Sequence, residues 1–137
     1  MIIISPYAKP LRNGGVNPKN YPYWNELLGL IKEPVIQVGT KDEVPLVDKV
    51  NFRPDLTMEQ LKDLVLEART WISVDSFFQH FCWDIGKNGI VLWGKSDPII
   101  FGHPENTNLL KSPAYLRERQ FLWWESEPYV KEAFVEP

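Results

Sequence analysis

Cysteine is nearly absent from this chain. The single residue, Cys82, excludes an internal disulfide and a cysteine-rich metal site. There is no basic surplus either. Fifteen Lys and Arg stand against 18 Asp and Glu, a net charge of −3, which argues against general nucleic-acid binding. The apolar opening, Met1 to Ser5, is far too short for a signal peptide or a membrane span, and the address read from this is the cytoplasm. No G-x-G-x-x-G fingerprint follows that first run, so a dinucleotide fold of that kind is unsupported. Internal repeats and low-complexity segments are missing. No His/Asp/Glu spacing suggests a metal site, no Ser-His-Asp set can be argued, and no cofactor is called for.

What is present is an ordinary globular composition, 44% apolar and 24% charged over 137 residues, enough for one domain with one core. Twelve prolines and six tryptophans exceed the usual share. The prolines punctuate loops, and the tryptophans suit a core or ligand cleft with large flat surfaces.

The stretch Trp71 to Gly102 organises the rest. Trp71 to Val74 reads as a buried strand, and Asp75-Ser76 ends it and offers a polar cap. Phe78, Phe81, Cys82 and Ile85 then fall on one helical face, which makes Cys82 a core residue, and Gly86 stops the helix. Gly89 to Trp93 is the next strand, with Gly94 to Pro98 looping from its carboxyl end. This is a βαβ unit with parallel strands.

Ile2 to Ser5 is a first strand, and a long loop from Pro6 to Pro22 leaves it, carrying Arg12 and Lys19. A helix covers Tyr23 to Ile31. Pro34 to Val38 is a second strand ending in Gly39 to Glu43, with a short helix or turn from Glu43 to Asp48. Val50 to Phe52 reads as an edge strand. Thr57 to Gln60 is a capping box flanked by Leu56 and Leu61 as a hydrophobic staple, and its helix runs to about Ala68. After Gly102 regularity fades, with a turn over His103 to Asn106. Residues 106–137 read as a less regular helical tail, with helices over Ala114 to Trp124 and from Ser126, and an aromatic patch at Phe121, Trp123 and Trp124. The expected fold is α/β: a doubly wound parallel sheet forming a single Rossmann-like domain over residues 1–137.

Ligands of such sheets bind beyond the carboxyl ends of the strands. Arg12 and Lys19, Gly39 to Glu43, Asp75 to His80, and Gly94 to Asp97 all lie there. Ser76 and the free N–H groups of the helix start suit a phosphate, Lys19 or Lys95 its charge, and Glu43 the hydroxyls of a ribose. His80 reaches either a diphosphate or Asp84, four residues on. Asp75 serves either the site or the helix as its cap.

These residues resemble the carboxyl-terminal half of the family 9 glycosyltransferases, the ADP-heptose:lipopolysaccharide heptosyltransferases. The family's Ser-x-Asp-[Ser/Thr]-Gly-x-x-His segment stands here as Ser73 to His80, with Phe77 in place of the glycine. Its Gly-x-[Ser/Thr]-x-Pro stands as Gly94 to Pro98. Lys19 to Trp24 resembles the Lys-x-Trp-Pro segment, Gly39 to Glu43 the Gly-x-x-x-Glu turn, and Leu56 to Leu61 the Leu-[Ser/Thr]-x-x-x-[Leu/Val] helix start.

The resemblance implies half of a GT-B fold that binds a nucleotide-diphosphate sugar without a metal, an ADP-sugar first. By matching position Lys19 meets the phosphates, Glu43 the ribose, and Asp75, Ser76 and His80 the sugar-diphosphate end. The expected site is Lys19, Gly39, Glu43, Asp75, Ser76, His80, Gly94 and Ser96, with no catalytic residue assigned. An amino-terminal, acceptor-binding domain is expected to be missing, so a glycosyltransferase reading calls for a partner chain or homodimer. The alternatives are a non-catalytic nucleotide or nucleotide-sugar binding module, and a scaffold for a protein partner.

Overall fold

The computed structural model describes residues 1–48 and 50–137. The chain runs β1 (Ile2–Ser5), α1 (Trp24–Leu30), β2 (Val35–Gly39), β3 (Asn51–Pro54), α2 (Met58–Glu67), β4 (Thr70–Val74), α3 (Phe77–Asp84), β5 (Ile90–Trp93), α4 (Pro98–Phe101) and β6 (Thr107–Leu110). The six strands form one sheet in the order β3-β2-β1-β4-β5-β6, every neighbouring pair parallel. This is a Rossmann-like α/β sheet. No helix among the described residues is long and apolar enough to cross a membrane.

Both faces of the sheet are covered, which is why its central strands are apolar throughout rather than alternating with polar residues. Ile3, Ile36, Val38, Trp71, Val91 and Trp93 point to the face covered by α2 and α3. Ile2, Ile4, Ile72, Val74 and Leu92 point to the other, covered by α1 and the C-terminal Ala133 and Phe134. The Trp71 indole lies flat on Gly89, where a Cβ would come within 2.3 Å, and its Nε1–H donates to the Lys87 carbonyl at 3.0 Å. Burying one indole is worth about 4–6 kcal/mol by area before ordering entropy is subtracted.

The helix signals operate as local chemistry requires. Thr57 Oγ1 accepts from Gln60 N–H at 3.1 Å, and Gln60 Oε1 accepts from Thr57 N–H at 2.9 Å. Gly86 ends α3 at φ +78°, a conformation that costs glycine little. Cys82 is fully buried, and burial pushes its thiol pKa up, so it is a core residue.

The tail differs from expectation. Residues 107–110 form a sixth strand, and the helices read over 114–124 and from 126 are single 3-10 turns, Pro113–Tyr115 and Lys131–Ala133. Thr107–Leu110 is short and half polar, so its strand signal is weak. Its place is set by Asn108, whose Oδ1 accepts from Trp93 Nε1–H at 2.9 Å. Ser112 does cap the first turn, accepting from Ala114 N–H at 3.1 Å. Beyond it the chain follows long-range side-chain bonds rather than a helical period. Glu43 to Asp48 is a turn region, held where the fully buried Gln37 donates to the Val44 carbonyl and accepts from Leu46 N–H.

Candidate functional site

Strand β1 pairs with both β2 and β4, and the strand order runs outward from that pair in both directions. A crevice therefore opens beyond the carboxyl ends of β1 and β4. The long loop after Ser5 enters it from one side and the start of α3 from the other.

Two cavities of about 470 and 480 Å³ meet there. The first lies over the ends of β1, β2 and β3 and is lined by Tyr7, Gly39, Glu43, Arg53 and Asp55. The second is lined by Lys19, Asp75, His80, Phe101, Trp124 and Glu125. Lys9, Pro10, Ser76 and Phe77 line both, so the start of α3 is their common wall. A cavity of about 590 Å³ lies at the opposite end of the sheet, against Glu33, Val35 and Val50, far from these clusters.

Asp75 is 5% exposed. Lys19 Nζ lies 3.2 Å from its Oδ2, and Gln79 Nε2–H donates to its Oδ1 at 2.8 Å. Asp75 is thus not the helix cap. Ser76 occupies the cap position, yet its hydroxyl caps nothing, and Ser76 Oγ is buried without a partner among the described residues. Ser76 and Phe77 line both cavities, so the free backbone N–H groups at the start of α3 lie at the crevice with the buried, unpartnered hydroxyl beside them, a ready site for an anion. Phe77 stands beside it 62% exposed and lines both cavities, its ring tilted against Phe81 at 5.9 Å.

His80 does not pair with Asp84. Its Nδ1 lies 2.8 Å from His103 Nε2, one ring donating to the other, and His103 stacks on Trp83 at 4.6 Å. Burial holds the His80 pKa below its ordinary value, with His103 and Lys19 adding to the effect against Asp75.

Glu43 sits on Gly39. A Cβ at that glycine would come within 1.7 Å of Glu43 Oε2. Burial raises the Glu43 pKa, a backbone hydrogen bond from Thr40 opposes this, and Asp55 adds to the rise. The Tyr7 hydroxyl donates to the Val44 carbonyl at 3.1 Å and ties this turn to the loop after β1.

The structure thus brings Lys19, Gly39, Glu43, Asp75, Ser76 and His80 into one crevice. It does not bring Gly94 and Ser96. The Phe134 ring covers Gly94, where a Cβ would come within 2.6 Å, and Ser96 is 2% exposed; neither lines the two cavities. Lys95 is buried too. It pairs with Glu127 and donates to the Pro128 carbonyl at 3.1 Å. The C-terminal segment occupies the end of β5, which in sequence looks as open as the end of β4. Among the other lining residues, Lys9, Trp123, Trp124 and Glu125 carry no motif that marks them as site residues. Lys9 sits in the loop already marked by its length, Trp123 and Trp124 belong to the aromatic patch, and Glu125 arrives by tertiary folding alone.

No family model matches the chain. Lipopolysaccharide heptosyltransferase 1 of Salmonella typhimurium is 26% identical to it over 125 residues, 81% of this chain and 39% of that protein. The solved structure of E. coli heptosyltransferase WaaC with ADP superposes with a TM-score of 0.63 at 17% identity, over 78% of this chain and 36% of that one. The resemblance read from the motifs thus holds as weak sequence homology and as fold: the chain is similar to the heptosyltransferases of glycosyltransferase family 9, over little more than a third of their length.

Proposed function

We propose that the crevice binds a nucleotide-diphosphate sugar, an ADP-sugar first, as a glycosyltransferase does. The nucleoside lies in the cavity over Gly39 and Glu43, whose carboxylate accepts from ribose hydroxyls. The diphosphate lies at the start of α3, and the glycosyl group in the cavity beside His80. The observation that carries this reading is the junction itself. Two cavities of similar size meet at an uncapped helix N-terminus with an unpartnered hydroxyl, as a two-part ligand with an anionic middle requires.

In glycosyl transfer an acceptor oxygen bonds to the anomeric carbon while the bond to the diphosphate breaks. The leaving diphosphate keeps that electron pair. Backbone N–H groups, the Ser76 hydroxyl, Lys9 and Lys19 are placed to stabilise the charge it gains. Among the described residues no three His, Cys, Asp or Glu side chains converge as a metal set. The acceptor's binding wall and activating base lie outside this crevice, on a partner chain, a second copy or further sequence. A cytoplasmic address goes with this reading.

A second reading, capture of the nucleotide sugar without turnover, draws on one further fact. The carboxylates lining the second cavity are each already paired, Asp75 with Lys19 and Glu125 with Arg12, both at 3.2 Å. Neither is a free base.

Thermal shift and calorimetry with ADP, UDP, GDP, CDP and their sugars test the site. Stabilisation by one nucleotide family, lost in Glu43→Ala, is expected. A folded sample stabilised by none of them would overturn the assignment. Product analysis with a bound donor then separates transfer from capture.

A further inference from the structure

The second cavity is closed on one side by residues 117–128, which form no helix and are nevertheless firmly placed. Arg117 is 7% exposed, with Nε 3.5 Å from Glu127 and its guanidinium 4.0 Å over the Trp124 ring. Gln120 Nε2–H donates to the Lys95 carbonyl at 3.0 Å, and its Oε1 accepts from Asp97 N–H at 2.9 Å. From the other side, Arg12 Nε lies 3.2 Å from Glu125, and the Asn13 amide donates to the Glu125 carbonyl at 3.4 Å. Buried Lys95 and Arg117 share Glu127 as counter-charge. Removing that carboxylate would strand two cations, so the fold holds this strap in place rather than leaving it a loose end.

The strap brings Trp123, Trp124 and Glu125 to the cavity that His80 and Phe101 also line, and its Phe121 ring lies 5.3 Å from that of Phe101. Arg12 lies 3.8 Å over the Trp123 ring, yet that ring is 71% exposed and keeps open surface. Aromatic rings beside a carboxylate suit a pyranose. Its axial C–H groups carry partial positive charge and rest on the negative face of an indole, while paired hydroxyls donate to the carboxylate.

We infer that the strap is a glycosyl-recognition wall: Trp123 carries the apolar face of the donor's sugar ring and Glu125 accepts from its hydroxyls. The inference rests on the nucleotide-sugar reading and deepens it. It assigns sugar selectivity to a C-terminal segment of this chain.

Calorimetry of ADP, ADP-glucose and ADP-heptose against wild type, Trp123→Ala, Trp123→Tyr and Glu125→Gln tests it. In Trp123→Ala and Glu125→Gln the better-bound ADP-sugar weakens about three- to tenfold while ADP is unchanged, and Trp123→Tyr restores most of the loss. Equal weakening of ADP and ADP-sugar would make the strap structural and overturn the inference, with the nucleotide site intact. Unchanged affinity for both would overturn it in the same way. Where UDP, GDP or CDP is the nucleotide bound, that diphosphate and its sugar replace ADP and the ADP-sugars with the same expected outcomes; wild-type protein that binds none of the four families would remove the donor site and this wall together.

Discussion

Lys19 and Asp75, 56 positions apart, form an ion pair of 3.2 Å at the point where the strand order reverses. Asp75 is buried, and Gln79 takes its other oxygen. The pair joins the loop after β1 to the start of α3, so it holds the two sides of the crevice in register. Lys19→Ala leaves a buried carboxylate with one neutral partner. It should cost about 3 kcal/mol and lower Tm by roughly 10 °C, whereas adding Asp75→Asn should recover part of the loss. Chemical denaturation of both single variants and the double variant checks this. Strict additivity would mean the pair contributes nothing to the fold.

Gly39→Ala isolates the Glu43 contact. The added Cβ would meet the end of a flexible side chain, which can rotate away. Stability should change by less than about 1 kcal/mol, while nucleotide affinity falls about tenfold as the carboxylate leaves its seat. Calorimetry beside a melting curve separates the two effects. Unchanged affinity would show that Glu43 does not hold the ribose.

Much of this arrangement was legible because it is local. The Thr57–Gln60 box, the α3 face and the Gly86 stop each lie within one or two turns of chain. Lys19, Asp75, Ser76 and His80 converge because β1 and β4 are adjacent, and alternating strands and helices already imply a sheet with an end to converge on. What was hidden depends on distant partners. β6 is read from Asn108 bonding Trp93, not from its own four residues. The strap hangs on Lys95–Glu127 and Arg12–Glu125, contacts that leave no periodicity in the sequence. Gly94 and Ser96 match a motif in spacing, but spacing says nothing about Phe134 lying on Gly94 or about the burial of Ser96.

That lid of aromatic packing makes the C-terminus a structural element. Phe134 is fully buried, stacked with Tyr129 at 6.1 Å and edge-on to Tyr21 at 5.9 Å. Phe134→Ala should cost about 3–5 kcal/mol. Limited proteolysis should then cut within residues 111–137 well before the sheet unfolds. A variant as protease-resistant as wild type would show that the strap's ion pairs hold the segment without this anchor.

The His80–His103 contact carries a pH dependence with a definite sign. One ring must accept the hydrogen bond between them, so protonation of both breaks it. Burial, then His103, hold His80 below its ordinary 6.5, with Lys19 adding to the depression and Asp75 pulling the other way. The unfolded chain therefore takes up this proton first as pH falls. The contribution to stability is whole above the unfolded value and is lost as pH falls from there through the lower folded value. Because the ring is partly open to water, the slope should be shallow. Melting curves from about pH 8 to about pH 5 on wild type and His80→Gln separate this group from the carboxylates common to both. The wild type should lose Tm more steeply below about pH 6.5, and parallel curves would show that the two histidines meet without affecting stability.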